Sequence, residues 1–230
     1  MFSPRLTLLL LHTLTALTLA DILVIGELYH PTPQARDAVA DSILSISHLE
    51  STNPSVPKYA LFVPLQDDNT TLITVEQYTS PAAFETHVSL PPVQSLLTLL
   101  ATVNATTTLN LLSVLPDLHA TEPTVPITST WVLIQKLTFC RNETAEEVLF
   151  PAWKRVVGRV AEEGGTLMYG VYPDAEDGKR VMTVEVHESF GYFWGEQRRE
   201  RAVGVVERRL RGVGAGVEGL EVRGVGGFLG

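Results

Sequence analysis

A chain of 230 residues has room for two domains of about 100 each. Its 45 % apolar content excludes a disordered polymer. The net charge of −9 argues against a nucleic-acid partner, because that affinity rests on cations meeting phosphates. The charge is unevenly spread: residues 1–128 hold 3 basic and 11 acidic side chains, residues 129–230 hold 14 and 15.

In chain order, residues 1–20 come first. Arg5 precedes a Leu-rich run, and Thr18 and Ala20 are small residues just before Asp21. This pattern reads as a secretory signal peptide and gives the expectation of a secreted product, with a cytoplasmic one as the alternative. The run is too short and too interrupted for a membrane span, so no membrane contact is expected after its removal. Three sequons, at Asn69, Asn104 and Asn142, would make a secreted product a glycoprotein.

Ile22–His30 is apolar and β-branched and predicts a strand. Pro33 suits the first position of a helix over 33–50, with Ala35, Val39, Ile43, Ile46 and Leu49 on one stripe. Val56–Pro64 and Thr70–Thr79 predict a hairpin around Asp67-Asp68-Asn69. Ser80 is an N-cap with Pro81 behind it, Pro91-Pro92 interrupts, and a second helical stretch covers 93–102. Thr106–Leu115 predicts a fourth strand. The order β-α-β-β-α-β is that of the split ferredoxin-like motif. Residues 116–128, with three prolines, read as a semi-stiff linker.

The order then recurs. Thr130–Cys140 predicts a strand, and Thr144-Ala-Glu-Glu147 a capping box opening a helix to about 163. Pro151 either bends that helix or marks its start. Leu167–Tyr172 and Lys179–Glu188 predict a hairpin. Ser189 caps a long helix to Arg211, and Glu218–Val225 is the closing strand. Cys140 is the single cysteine, so no disulfide can form within the chain; it reads as a small buried apolar group. Arg198, Arg199, Arg201, Arg208, Arg209 and Arg211 crowd the last helix among acids, as a salt-bridged exposed face or an anion site.

An internal repeat underlies this order. A shift of 109 places Pro64, Asp68, Thr74, Val75, Glu76, Ser80 and Phe84 on Pro173, Asp177, Thr183, Val184, Glu185, Ser189 and Phe193. The reading is a duplicated domain: 21–115, a linker 116–128, and a divergent second copy, 129–230.

Other motifs fail. Gly214-Ala-Gly216-Val-Glu-Gly219 follows a helix and precedes a strand, the reverse of a dinucleotide fingerprint. The six histidines show no metal-ligand spacing, so no metal is expected.

The segment Glu76-Gln-Tyr78-Thr-Ser80-Pro-Ala-Ala-Phe84-Glu-Thr-His87, with Glu185-Val-His187-Glu-Ser189 and Phe193 as its looser echo, resembles the antibiotic biosynthesis monooxygenase domain of the dimeric α/β barrel superfamily. The resemblance implies an α+β fold of two ferredoxin-like units packed sheet to sheet as an internal pseudo-dimer, hence a monomeric or weakly associated chain. It also implies a monooxygenase without cofactor, acting on an aromatic or polyketide-like small molecule. Alternation puts Glu76 and Tyr78 on one strand face, and helical spacing sets Phe84 beside His87. His87 is then the base, with Tyr78 or Tyr59 holding an enolate oxygen and Glu76 orienting His87 or staying structural. Tyr59, Phe84, Tyr169, His187 and Trp194 are the substrate contacts. Each of these residues has a structural alternative, as core, wall or backbone partner. At the same offset His87 becomes Glu196 and Tyr78 becomes His187, so the second copy lacks the first copy's polar set. The rival function is a non-catalytic small-molecule binding or stress-related protein on the same scaffold.

Overall fold

A computed structural model describes residues 21–229 except 67–68, 122–124, 126, 140–146, 148, 161, 163, 176, 200 and 213. The expected signal peptide, the Asp67-Asp68 turn, Cys140, the Asn142 sequon and most of the capping box lie outside the described residues. The chain divides into two units. The described residues as far as Leu111, with Val225–Leu229, make the first, and Leu112–Gly224 the second.

The first unit runs β1 (Ile22–Tyr29), α1 (Pro33–Glu50), β2 (Lys58–Pro64), β3 (Thr71–Tyr78), α2 (Pro81–Ser89), α3 (Pro91–Thr102) and β4 (Thr106–Ser113). The caps are local and strong. Thr32 and Ser80 accept from the backbone of Ala35 and Ala83, and a proline follows each at the first helical position. Strand order is β4-β1-β3-β2, with β3 antiparallel to both neighbours. Ile22 stands opposite Tyr78, and Tyr59 opposite Glu76. The core joins Val39, Ile43 and Ile46 of α1, Leu72 and Tyr78 of β3, Phe84 of α2 and Leu96 and Leu100 of α3. Leu49, expected on the apolar stripe of α1, is 54 % exposed, and the turn continues instead through Glu50, 2 % exposed.

Val225–Leu229 complete this unit. Gly227 has φ +107°, and a Cβ there would lie 2.1 Å from the Tyr59 carbonyl oxygen. Only glycine permits so close an approach in that conformation.

The second unit holds β5 (His119–Thr121), β6 (Trp131–Thr138), α4 (Phe150–Val160), β7 (Thr166–Pro173), β8 (Arg180–His187), α5 (Phe190–Gly195), α6 (Arg201–Gly212) and most of β9 (Gly216–Phe228). Strand order is β9-β6-β8-β7-β5. Thus β9, β6, β8 and β7 repeat the places of β4, β1, β3 and β2. Its core gathers Leu137, Phe150, Trp153, Val157, Tyr169, Val171 and Val206. Pro151 is the second residue of α4, marking its start in place of a bend.

Two expectations are corrected. The linker contributes the short strand β5, which pairs with β7. The long helix from Ser189 is broken: α5 ends at Gly195, a 3₁₀ turn covers Gln197–Arg199, and α6 starts at Arg201. Gly195 is the last residue of α5, where glycine's poor helix propensity, about 1 kcal/mol below alanine, favours a stop.

Gly227→Ala should lower stability by about 1–3 kcal/mol in urea unfolding; a change below about 0.5 kcal/mol would contradict the close approach. Burial, the leading cause in each case, raises the phenol pKa of Tyr59, Tyr78, Tyr169 and Tyr172. Folding therefore favours the neutral phenol. Stability should hold up to about pH 10 and fall as pH rises through the raised values, by up to about 1.4 kcal/mol per pH unit for each tyrosine. Urea midpoints between about pH 9 and 11.5 check this, and a flat profile above pH 10 would contradict it.

Candidate functional site

On β3 the two-residue period places Leu72, Thr74, Glu76 and Tyr78 on one face. The structure brings the expected polar group together there. Tyr78 donates to Glu76 Oε2 at 2.5 Å. His87, from α2, lies with Nε2 3.9 Å from the same carboxylate oxygen. Its ring stands 5.2 Å from that of Tyr78 and 5.6 Å from that of Tyr59, while Phe84 packs edge-on against Tyr78 at 5.2 Å. The sequence reading missed one member, Glu50: its Oε1 is 2.9 Å from His87 Nδ1, and its Oε2 accepts from Asn53 at 2.6 Å. The signal was present, because spacings of 4, 3 and 4 from Val39 through Ile43 and Ile46 lead to residue 50. His87, Tyr78, Tyr59 and Phe84 are all buried, so this group is tightly packed against its own helices.

The second unit repeats the strand and changes the filling. Thr183, Glu185 and His187 on β8 occupy the places of Thr74, Glu76 and Tyr78. Tyr169 stands opposite Glu185 as Tyr59 stands opposite Glu76. Trp131 takes the place of Ile22 and faces His187 across the strands. Between this sheet face and the helices is a cavity of about 440 Å³. Its walls are aromatic: Trp131 from β6, Trp153 from α4, Tyr169 from β7, and Phe193 and Trp194 from α5. Val203, Val206 and Leu210 of α6 close the helical side. Its polar groups are Glu185, Gln135 and Glu221 on the sheet, Gln197 in the 3₁₀ turn, and Glu207 and Arg211, 3.8 Å apart, on α6. An apolar cavity with a small number of polar groups is the usual form of a small-molecule site.

Glu185 is the chemical centre of this wall. It is 4 % exposed; its Oε1 accepts from Thr183 at 3.3 Å, and its Oε2 lies 3.5 Å from His187 Nε2. Burial first, and then the charge of Glu185, hold the Tyr169 phenol well above its ordinary pKa; a hydrogen bond from Trp153 opposes this. Tyr169 is therefore a neutral donor beside a carboxylate.

Of the expected substrate contacts, Tyr169 and Trp194 line this cavity. His187 is packed behind the wall, fully buried against Trp131 and Phe193. Tyr59, Glu76, Tyr78, Phe84 and His87 line another region, the core of the first unit. Trp131, Trp153, Phe193, Glu185 and Gln197 were not anticipated as cavity residues. Trp194 extends outward, 40 % exposed, and meets Phe190 and Phe193. Among the described residues no group of three or more His, Cys, Asp or Glu side chains is arranged to hold a metal. No described helix is long and apolar enough to cross a membrane.

No protein-family model and no curated protein matches the chain. Solved structures do. A "putative monooxygenase" of Fusobacterium nucleatum subsp. nucleatum superposes with a TM-score of 0.76 at 13 % identity, covering 91 % of this chain and 94 % of its own. A "putative monooxygenase" of Lactobacillus acidophilus gives 0.71 at 12 % identity over 92 % and 97 %. An "anthrone oxidase-like protein" gives 0.62 at 14 % identity over 92 % and 94 %. Both units fall within each match. The chain thus shares the α+β fold of these three structures, as the resemblance implied for the fold class.

Proposed function

We propose that the chain is a monooxygenase-type enzyme that binds a flat, uncharged aromatic or polyketide-like carbon acid in the cavity of the second unit. The observation that carries this reading is a buried carboxylate, Glu185, set in a wall of five aromatic side chains. The monooxygenase descriptions of the three full-length neighbours support it at the level of fold.

The chemistry asks little of the protein. An anthrone-type methylene flanked by a carbonyl and rings is acidic. Glu185 removes its proton as general base. Tyr169, held neutral, donates to the enolate oxygen that forms. The carbanion is itself the reductant: it adds O₂ to give a peroxide, whose remaining C–H proton is lost as the O–O bond breaks, leaving one oxygen as the new carbonyl while the other departs with both protons as water. The atoms balance, with R₂CH₂ and O₂ giving R₂C=O and H₂O. The aromatic walls orient the rings and exclude water from the carbanion. No cofactor enters this scheme.

The group around His87 is the second place for such chemistry, since a base and a phenol converge there too. The cavity favours the second unit. The same scaffold as a pure binding protein is the rival function, and oxygen uptake separates the two. In either case the two units in one chain make a monomer the working form. Asn69 and Asn104, both exposed and both in turns at positive φ, are the described sites we propose for glycans on a secreted product.

Oxygen uptake with an anthrone or a hydroquinone tests the assignment. Glu185→Gln should lower kcat by about 10²–10⁴, with the fold unchanged by circular dichroism. Wild-type protein that binds such rings without consuming oxygen would favour the binding protein. His87→Ala should cost about 2–4 kcal/mol of stability by unpairing Glu50 and opening a void. Its uptake per folded molecule should stay within about threefold of wild type. A loss matching that of Glu185→Gln would move the chemistry to the first unit.

A further inference from the structure

Glu185 has a neighbour that the reaction so far leaves idle. His187 is 0 % exposed, and its Nε2 is a buried nitrogen with no hydrogen-bond partner. That nitrogen lies 3.5 Å from Glu185 Oε2. Its other ring nitrogen, Nδ1, is 3.3 Å from Thr166 Oγ1. Buried polar atoms without partners are uncommon and ask for a reason.

Tautomer chemistry supplies one. If Nδ1 carries the ring proton and donates to Thr166, then Nε2 is an acceptor. An ionised carboxylate is also only an acceptor. Two acceptors then face each other across 3.5 Å with no proton between them, so the gap is too long for a hydrogen bond. One added proton would close it.

The repeat offers an internal comparison. At the equivalent place in the first unit, Tyr78 donates to Glu76 at 2.5 Å. A phenol is a fixed donor there. In the unit with the cavity, the same strand position carries an imidazole, which can receive a proton and return it.

Resting on the reading of Glu185 as base, we infer that His187 stores the proton that Glu185 removes from the substrate. The proton passes from the substrate carbon to Glu185, then to His187 Nε2. The carboxylate is restored and now faces an imidazolium that it stabilises. No electrons move in this transfer. When oxygen has added as a peroxide anion, the stored proton returns through Glu185 to its outer oxygen; Glu185, again a carboxylate, takes the second C–H proton as the O–O bond breaks and hands it to the departing hydroxide, which leaves as water. His187 never touches the substrate; Trp131 and Phe193 stand beside it, with ring centroids at 5.6 and 5.2 Å. It is a positioning residue for the base. The titratable groups set against it are Glu185 on its own strand, with Tyr169 of β7 opposite that glutamate, and Tyr192 on α5 with its ring 6.3 Å away. Thr166, Trp131 and Phe193, which also stand beside it, carry no charge.

The first test needs no turnover. In ¹⁵N-histidine NMR of the whole protein near pH 7, His187 should show the Nδ1–H tautomer with an unprotonated Nε2. A resting Nε2–H, or an imidazolium already present, would overturn the proposal. The second test uses His187→Gln and His187→Tyr, the latter copying the first unit. Both should bind an unreactive anthraquinone with a dissociation constant within about threefold of wild type, and lose about 10²-fold in kcat with the acid limb of the pH–rate profile flattened. Unchanged kcat and pH profile in His187→Gln would also overturn it. Failure of the wild type to consume oxygen would instead count against Glu185 as base, while the tautomer measurement still decides the state of His187.

Discussion

A carboxylate on the central strand of each unit points under the helices, and each unit has to find it a partner. Burying an ionised group without one costs several kcal/mol. The first unit answers with a phenol, an imidazole and a second carboxylate, all packed into its core around Glu76. The second unit answers with Thr183 and a histidine that stands slightly too far away. Beside that carboxylate the second unit has a cavity bordered by Trp131, Phe193 and Gln197.

This contrast gives the duplication a physical meaning. The strand pattern that holds the carboxylate is retained in both copies, as Thr74, Glu76 and Tyr78 and as Thr183, Glu185 and His187. The helices diverged. In the first unit α1 is 18 residues long and delivers Glu50 from its last turn. In the second unit the helix after β8 breaks at Gly195, so that α5 and α6 border a cavity from two directions. One copy packs tyrosine and histidine rings around its carboxylate, and the other has a cavity beside it.

Much of the fold was legible. The period-two strands, the Ser80 and Ser189 caps, the prolines at helix starts and the shift of 109 together give two βαββαβ units. Periodicity put Glu76 with Tyr78 and Phe84 with His87; their convergence followed once α2 covered that strand face. What escaped depended on tertiary distance. A fixed offset pairs Tyr59 with Met168, whereas the register pairs Tyr59 and Tyr169 with equivalent glutamates, because the ladder of β7 shifts between Thr166 and Met168. That one-residue slip hid the likeness of the two sites. The offset also counted His187 as the loss of a tyrosine, when it is a change of one proton-bearing group for another. Whether helices fill or frame the space above a strand is decided by side-chain volume across several elements, which no local pattern reports.

The central claim is that the ligand site lies in the second unit. The chain's three tryptophans, Trp131, Trp153 and Trp194, all line that cavity. Intrinsic tryptophan fluorescence therefore reports on it alone. Titration with a neutral tricyclic aromatic should give saturable quenching, and Val206→Phe, which fills the cavity in a chain still folded by circular dichroism, should abolish it. Saturable binding left intact by that substitution would contradict the account.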